Sequence, residues 1–103
     1  LRASGLAEQL MIDASHANSQ KDHTNQIKVC DSIGQQLAAG ESRIIGVMIE
    51  SHLTAGRQEL VAGKPLSYGQ SITDACIGWG DSVDVLDSVA EAVRNRRTVK
   101  LDA

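Results

Sequence analysis

The chain has 103 residues, a formal net charge of −3 and 42% hydrophobic residues, of which very few are aromatic. A domain of this length buries roughly 60–65% of its extended surface, so one modest, aliphatic core is expected over residues 1–103. Mixed charges argue against a nucleic-acid partner, no apolar run approaches the roughly 18 residues of a membrane span, and no secretory signal opens the chain.

In chain order, Leu1–Leu6 reads as the last turn of a preceding helix closed by Gly5. The chain begins without Met in a segment already helical in flavour, and so reads as cut from something longer. Residues 9–13 form a first strand running into Asp13, Ser15, His16 and Asn18. A helix is expected from Asn18 or Ser19 to Ala39, with Ile27, Cys30, Ile33 or Gly34, and Leu37 on one stripe and Gly40 as the stop.

Arg43–Leu53, RIIGVMIESHL, is the most informative stretch. Its continuous apolar run reads as a strand over 43–49 buried on both faces, ending on Glu50, Ser51 and His52. A long irregular segment follows, Ser51–Gly80, expected to contain short helical turns at most. It carries Asp74 and Cys76. Asp81 and Asp84 then open a final helix to about Arg97, with Val83, Leu86, Val89 or Ala90, and Val93 as its buried stripe. The basic cluster Arg94, Arg96, Arg97 and Lys100 reads as a solvated helix C-terminus, and TVKLDA as a loosely held tail. Cys30 and Cys76 lack a zinc-ribbon spacing and read as buried thiols of a reducing compartment, here the cytoplasm.

Strand–helix–strand–loop–helix amounts to two βα units of an α/β fold. Two parallel strands cannot bury both of their own faces, so the isolated chain is an incomplete fold. The polar groups stand where strands emerge, which is where barrel and open α/β folds place chemistry. His16, Glu50 and Asp74 offer one nitrogen and two carboxylates, a donor set suited to a divalent ion in the Mn²⁺, Fe²⁺, Co²⁺ or Zn²⁺ range. Singly, each has a plainer reading: a satisfied structural histidine, a carboxylate in an ion pair, and a turn cap. His52 is either an acid or base or an exposed loop histidine. Ser15 beside His16 does not make a nucleophile without an oriented base and an oxyanion hole. No phosphate-binding glycine loop and no HExxH pattern occurs.

MIDASHANSQK, IIGVMIESHL and KPLSYGQSITDACIGW resemble the metal-dependent 3-deoxy-D-arabino-heptulosonate-7-phosphate (DAHP) synthases. The likeness is to the bacterial and fungal type, whose members are sensitive to phenylalanine, tyrosine or tryptophan, and it covers essentially the whole chain. It implies the seventh and eighth βα units of a TIM (β/α)₈ barrel. It also implies an enzyme that joins phosphoenolpyruvate to erythrose 4-phosphate at the head of the shikimate pathway, and a homo-oligomer. By the resemblance, His16, Glu50 and Asp74 are metal ligands, a fourth ligand is a cysteine absent from this stretch, and Cys76 lies near the metal. DASH replaces the family's usual DFSH, so Ala14 stands where a ring is customary. The lysines and arginines that bind substrate phosphates in the family are not supplied here, so the isolated chain is expected to be inactive. The rival readings are another metal-dependent aldol-type barrel enzyme and a non-catalytic interaction module.

Overall fold

The computed structural model of the chain describes residues 2–19 and 22–102. After a 3₁₀ turn, Arg2–Ser4, the elements are β1 (Leu10–Asp13), α1 (Asn25–Ala38), β2 (Ile44–Met48) and α2 (Trp79–Asp102). The strands pair in parallel, with Met11 opposite Gly46, Ile12 opposite Val47 and Asp13 opposite Met48. At Gly46 a side chain would be tight, since a Cβ there would stand 3.3 Å from Cγ of Met11. Both polar strand ends therefore emerge on the same side of the sheet.

The helices pack together on one face of this sheet. Ala14, Cys30, Ile77 and Val85 form one buried cluster, and Ile33, Leu37, Ile44 and Ala92 the other, with Val29, Val47 and Val89 packed against both. The other sheet face has no cover among the described residues. Met11 is 66% and Ile45 64% exposed, and Leu10 and Met48 are exposed as well. The expectation of strands buried on both faces is thus not met by this chain, because each strand has one neighbour and the sheet one layer of helices. Those apolar residues mark the fold as incomplete by itself.

Helix α1 starts later than its sequence pattern suggested. The residues between β1 and α1 instead make tight turns, in which Asn18 Nδ2 donates to Asp13 O (2.6 Å) and Ser19 Oγ to His16 O (3.0 Å). Asp22 then accepts from both the backbone and the hydroxyl of Thr24, just ahead of the first helical residue. The helix stops at Gly40, whose φ of +107° suits glycine alone.

Helix α2 departs from expectation in three ways. Its inward stripe is Ser82, Val85, Val89, Ala92 and the half-buried Val93 and Arg96, so of the expected residues Val89 and Val93 pack inward while Val83 and Leu86 are turned outward. It also runs on through Asp102, since neither Gly nor Pro follows Arg97 to end it. Finally, Arg96 is not a solvated cation: its Nη1 donates to Glu41 O (3.2 Å) and Ile44 O (3.1 Å), tying the end of α2 to the start of β2. Arg94 pairs with Glu91, while the side chain of Lys100 lies outside the described residues.

The long connection from β2 to α2 is ordered by bridges and amide side chains, without helical turns among its residues. Ser51 bridges Ile77, Gly56 bridges Cys76 and Arg57 bridges Ser71. The Gln58 side chain ties Ser67 and Gln70 together. Gly69, at φ +76°, lies under Leu53, and a Cβ there would come within 2.8 Å of Leu53 Cβ. These ties carry the segment back so that Asp74 hangs over the strand ends.

Candidate metal centre

His16 is held by its own backbone and by Asp13. It adopts φ +49°, in the left-handed region that costs a non-glycine residue roughly 1–2 kcal/mol, and the turn bonds of Asn18 and Ser19 maintain it. Nδ1 of the ring lies 2.7 Å from Asp13 Oδ2 and 2.9 Å from Ser15 Oγ. Ser15 is buried and hydrogen-bonded through Oγ to Asp13 Oδ1, with its backbone N–H donating to the same oxygen. An ionised carboxylate only accepts, so Nδ1 carries the ring proton and Nε2 presents its lone pair.

That lone pair faces the other two groups. Nε2 lies 3.4 Å from Asp74 Oδ2 and 3.8 Å from Glu50 Oε1. One ligand atom from each of the three residues falls within 4.8 Å of the others. Three donors each about 2.1 Å from a tetrahedral ion stand about 3.4 Å apart; the His16–Asp74 separation matches that spacing, the His16–Glu50 separation is slightly wider, and the donor chemistry suits a divalent cation. Asp13 completes the carboxylate–histidine arrangement that orients metal-binding imidazoles. Glu50 is mostly buried and Asp74 mostly exposed. The three groups line one cavity of about 310 Å³ together with His23 and Arg57. A larger hollow, about 510 Å³, lies at the other end of the strands around the Glu41–Arg43 pair. Arg43 lowers the Glu41 carboxyl to about 2.

The electrostatics follow from this geometry. The hydrogen bond from Ser15, then that from His16, holds Asp13 below the usual carboxylate range. Its hydrogen bond and charge, followed by the charges of Glu50 and Asp74, raise His16 above the ordinary histidine value of 6.5. In the metal-free protein this gives stability that is fully present below the unfolded value and lost as pH rises through the folded one. A metal ion reverses that dependence, because it needs Nε2 unprotonated. Below the raised His16 value, displacement of its proton should by itself lower apparent metal affinity about tenfold per pH unit and contribute one proton to those released per ion bound. Calorimetric titration in buffers of different ionisation enthalpy counts that proton. Proton-free binding at pH 6 would remove His16 from the ligand set.

The remaining sequence candidates separate clearly. Cys76 is buried, its thiol pushed up by burial and then by the Glu50 charge, and it donates to Asp74 O at 3.5 Å. It neighbours the donors without joining the set. His52 is exposed, and its Nδ1 accepts the Leu53 N–H (2.9 Å). It does not line the cavity. Gln26, which the sequence did not single out, is fully buried beside Glu50. The signal was available: Gln26 extends the stripe Cys30, Ile33, Leu37 by one turn toward the N-terminus.

The sequence profile described as the DAHP synthetase I family matches residues 1–87. The Phe-sensitive phospho-2-dehydro-3-deoxyheptonate aldolase of Escherichia coli (strain K12) is 56% identical over 97 residues, covering 94% of this chain and 28% of that protein. The tyrosine-inhibited phospho-2-dehydro-3-deoxyheptonate aldolase of Schizosaccharomyces pombe is 50% identical over 101 residues, with 94% and 27% covered. Among solved structures, phospho-2-dehydro-3-deoxyheptonate aldolase from Francisella tularensis SCHU S4 superposes with a TM-score of 0.80 at 50% identity, covering 85% of this chain and 25% of that one. The chain thus spans little more than a quarter of the length of these curated relatives. Its two βα units match the C-terminal portion of a TIM-barrel enzyme.

Proposed function

Since the chain belongs to the DAHP synthetase I family, we propose that it contributes the metal-binding corner of a 3-deoxy-7-phosphoheptulonate synthase. In this reading residues 1–103 are strand–helix units seven and eight of one barrel domain. The substrates are phosphoenolpyruvate and D-erythrose 4-phosphate. The partners are the remaining barrel polypeptide and further copies of the protein, in the cytoplasm. No helix among the described residues is long and apolar enough to cross a membrane. The observation that carries the proposal is the convergence of His16, Glu50 and Asp74 at the strand ends.

The reaction balances as phosphoenolpyruvate, erythrose 4-phosphate and water giving DAHP and phosphate. C3 of the enol phosphate bonds to the aldehyde carbon, the water oxygen adds at C2, and the C2–O bond to phosphate breaks. One water proton finishes on the former aldehyde oxygen, and the other leaves with phosphate or solvent. A bound divalent ion supplies Lewis acidity, polarising the aldehyde oxygen or acidifying the attacking water.

The chain's own residues hold and shape that site. Asp13 keeps the His16 proton on Nδ1, so that Nε2 stays a donor. Glu50 and Asp74 supply two negative charges that offset those of a divalent cation. The full-length protein carrying this chain, loaded with Mn²⁺, should form DAHP from the two substrates and lose that activity to a chelator. The isolated chain should form none. Turnover that survives complete metal removal, or failure with these substrates but turnover of another aldehyde, would contradict the proposal.

A further inference from the structure

Gln26 is a glutamine at the first turn of α1 with no exposed surface. Burying a primary amide is costly unless each polar atom is matched, and here each is. Oε1 accepts the Glu50 N–H at 2.7 Å, and Nε2 donates to Glu50 O at 3.0 Å and, more weakly, to His23 O at 3.4 Å. The side chain thus pairs with both backbone polar groups of one residue, as a neighbouring strand would.

The residue it pairs with is the one where the strand ladder has run out. The β1–β2 register ends with Asp13 opposite Met48, and Ala14 N–H takes Met48 O (2.9 Å). Glu50 lies two residues farther along, with no strand on its β1 side. On its other side, Glu50 O also accepts the Ile77 N–H (3.0 Å), and Ile77 O accepts the His52 N–H (3.0 Å). Ile77 is three residues beyond Asp74. One carbonyl therefore joins the Gln26 amide to the segment that carries Asp74.

From this geometry we infer that Gln26 is a positioning residue for the metal centre, acting through the backbone of Glu50. Fixing both peptide groups of Glu50 fixes the direction of its Cα–Cβ bond, and with it the place of the carboxylate. Ligand sets tolerate errors of only about 0.5 Å. The weak bond to His23 O, and the bond from Asn25 Nδ2 to Ser19 O (3.1 Å), link the same helix turn to the end of the His16 loop. The amide thus joins the backbone of Glu50, and through its carbonyl the segment carrying Asp74, to the first turn of α1, which Asn25 ties to the end of the His16 loop. A methionine of similar length would fill the same space, but it would leave the Glu50 N–H without its partner and the direction of that residue unfixed.

The inference rests on the metal-site reading, and the experiment separates the two. Cobalt(II) affinity is measured by absorption on the full-length protein for the parent, Gln26→Met and Ile33→Ala. Ile33 lies in the other core cluster, away from Glu50. Gln26→Met should weaken cobalt binding about 10- to 100-fold, the range found for residues that orient ligands, and excess metal should restore turnover. Ile33→Ala should lower the melting temperature and leave cobalt affinity unchanged. Gln26→Met binding within about twofold of the parent, outside that range, overturns the inference while leaving the metal site intact. If Gln26→Met does not fold, Gln26→Glu takes its place: it keeps the acceptor for Glu50 N–H but sets an oxygen against Glu50 O, and the same two results decide. A parent protein that binds no cobalt overturns the metal-site reading and this inference with it.

Discussion

Glu50→Ala in the full-length protein should lose divalent-metal affinity by more than about 100-fold, beyond the usual cost of losing a residue that only orients a ligand, and lose activity in step. Two features make this the largest effect expected. Glu50 is the mostly buried carboxylate of the three donors, and without it this chain offers a dication only one nitrogen and one exposed carboxylate. Its backbone bonds to Gln26 and Ile77 do not involve the carboxylate, so the variant should melt close to the parent. Loss of metal without loss of fold is the signature. Full activity with unchanged metal content would sink the assignment of Glu50.

Ile77→Ala should have the largest effect on stability. Ile77 is one of the most deeply buried large side chains among the described residues, 1% exposed, in the cluster with Ala14, Cys30 and Val85. It wedges between both helices and the end of β2, so removing its branched arm leaves a cavity that the bridged backbone around it cannot readily close. Buried aliphatic truncations of this kind cost about 2–5 kcal/mol. In a urea melt of the full-length protein the midpoint should fall at constant slope. Leu60→Ala, at an exposed position of the long connection, should stay within about 0.5 kcal/mol. A cost below about 1 kcal/mol at Ile77, well under that range, would mean that this cluster does not hold the segment carrying Asp74.

Much of this architecture was legible because the residues that matter follow strand ends. The apolar runs before Asp13 and Glu50 announce two strands, and a chain leaving a buried strand for a carboxylate or imidazole is conspicuous. The convergence of Asp74 was less visible, since it depends on bridges such as Gly56 with Cys76 that leave no periodic trace. Only the first turns of helix α2 depart from the expected stripe: Val83 and Leu86 are as apolar as Val85 yet face outward, whereas Val89 and Val93 pack inward as expected. Only docking on α1 decides between them. Arg96 illustrates the same limit: its place in a basic cluster suggested solvent, whereas the carbonyls of Glu41 and Ile44 were waiting across the sheet. Gln26 is polar, so a stripe defined by apolar spacing does not include it although it continues the buried face of α1. The placement of Asp74, Arg96 and the α2 stripe depends on contacts between elements far apart in sequence, which local pattern does not encode.

The most direct test of the central claim is a cobalt(II) absorption titration of the full-length protein, repeated on His16→Ala. The parent should saturate at one ion per chain with d–d bands, and His16→Ala should lose them while keeping its fold. Bands of unchanged intensity and stoichiometry in His16→Ala would contradict the account, because the nitrogen donor would then come from elsewhere.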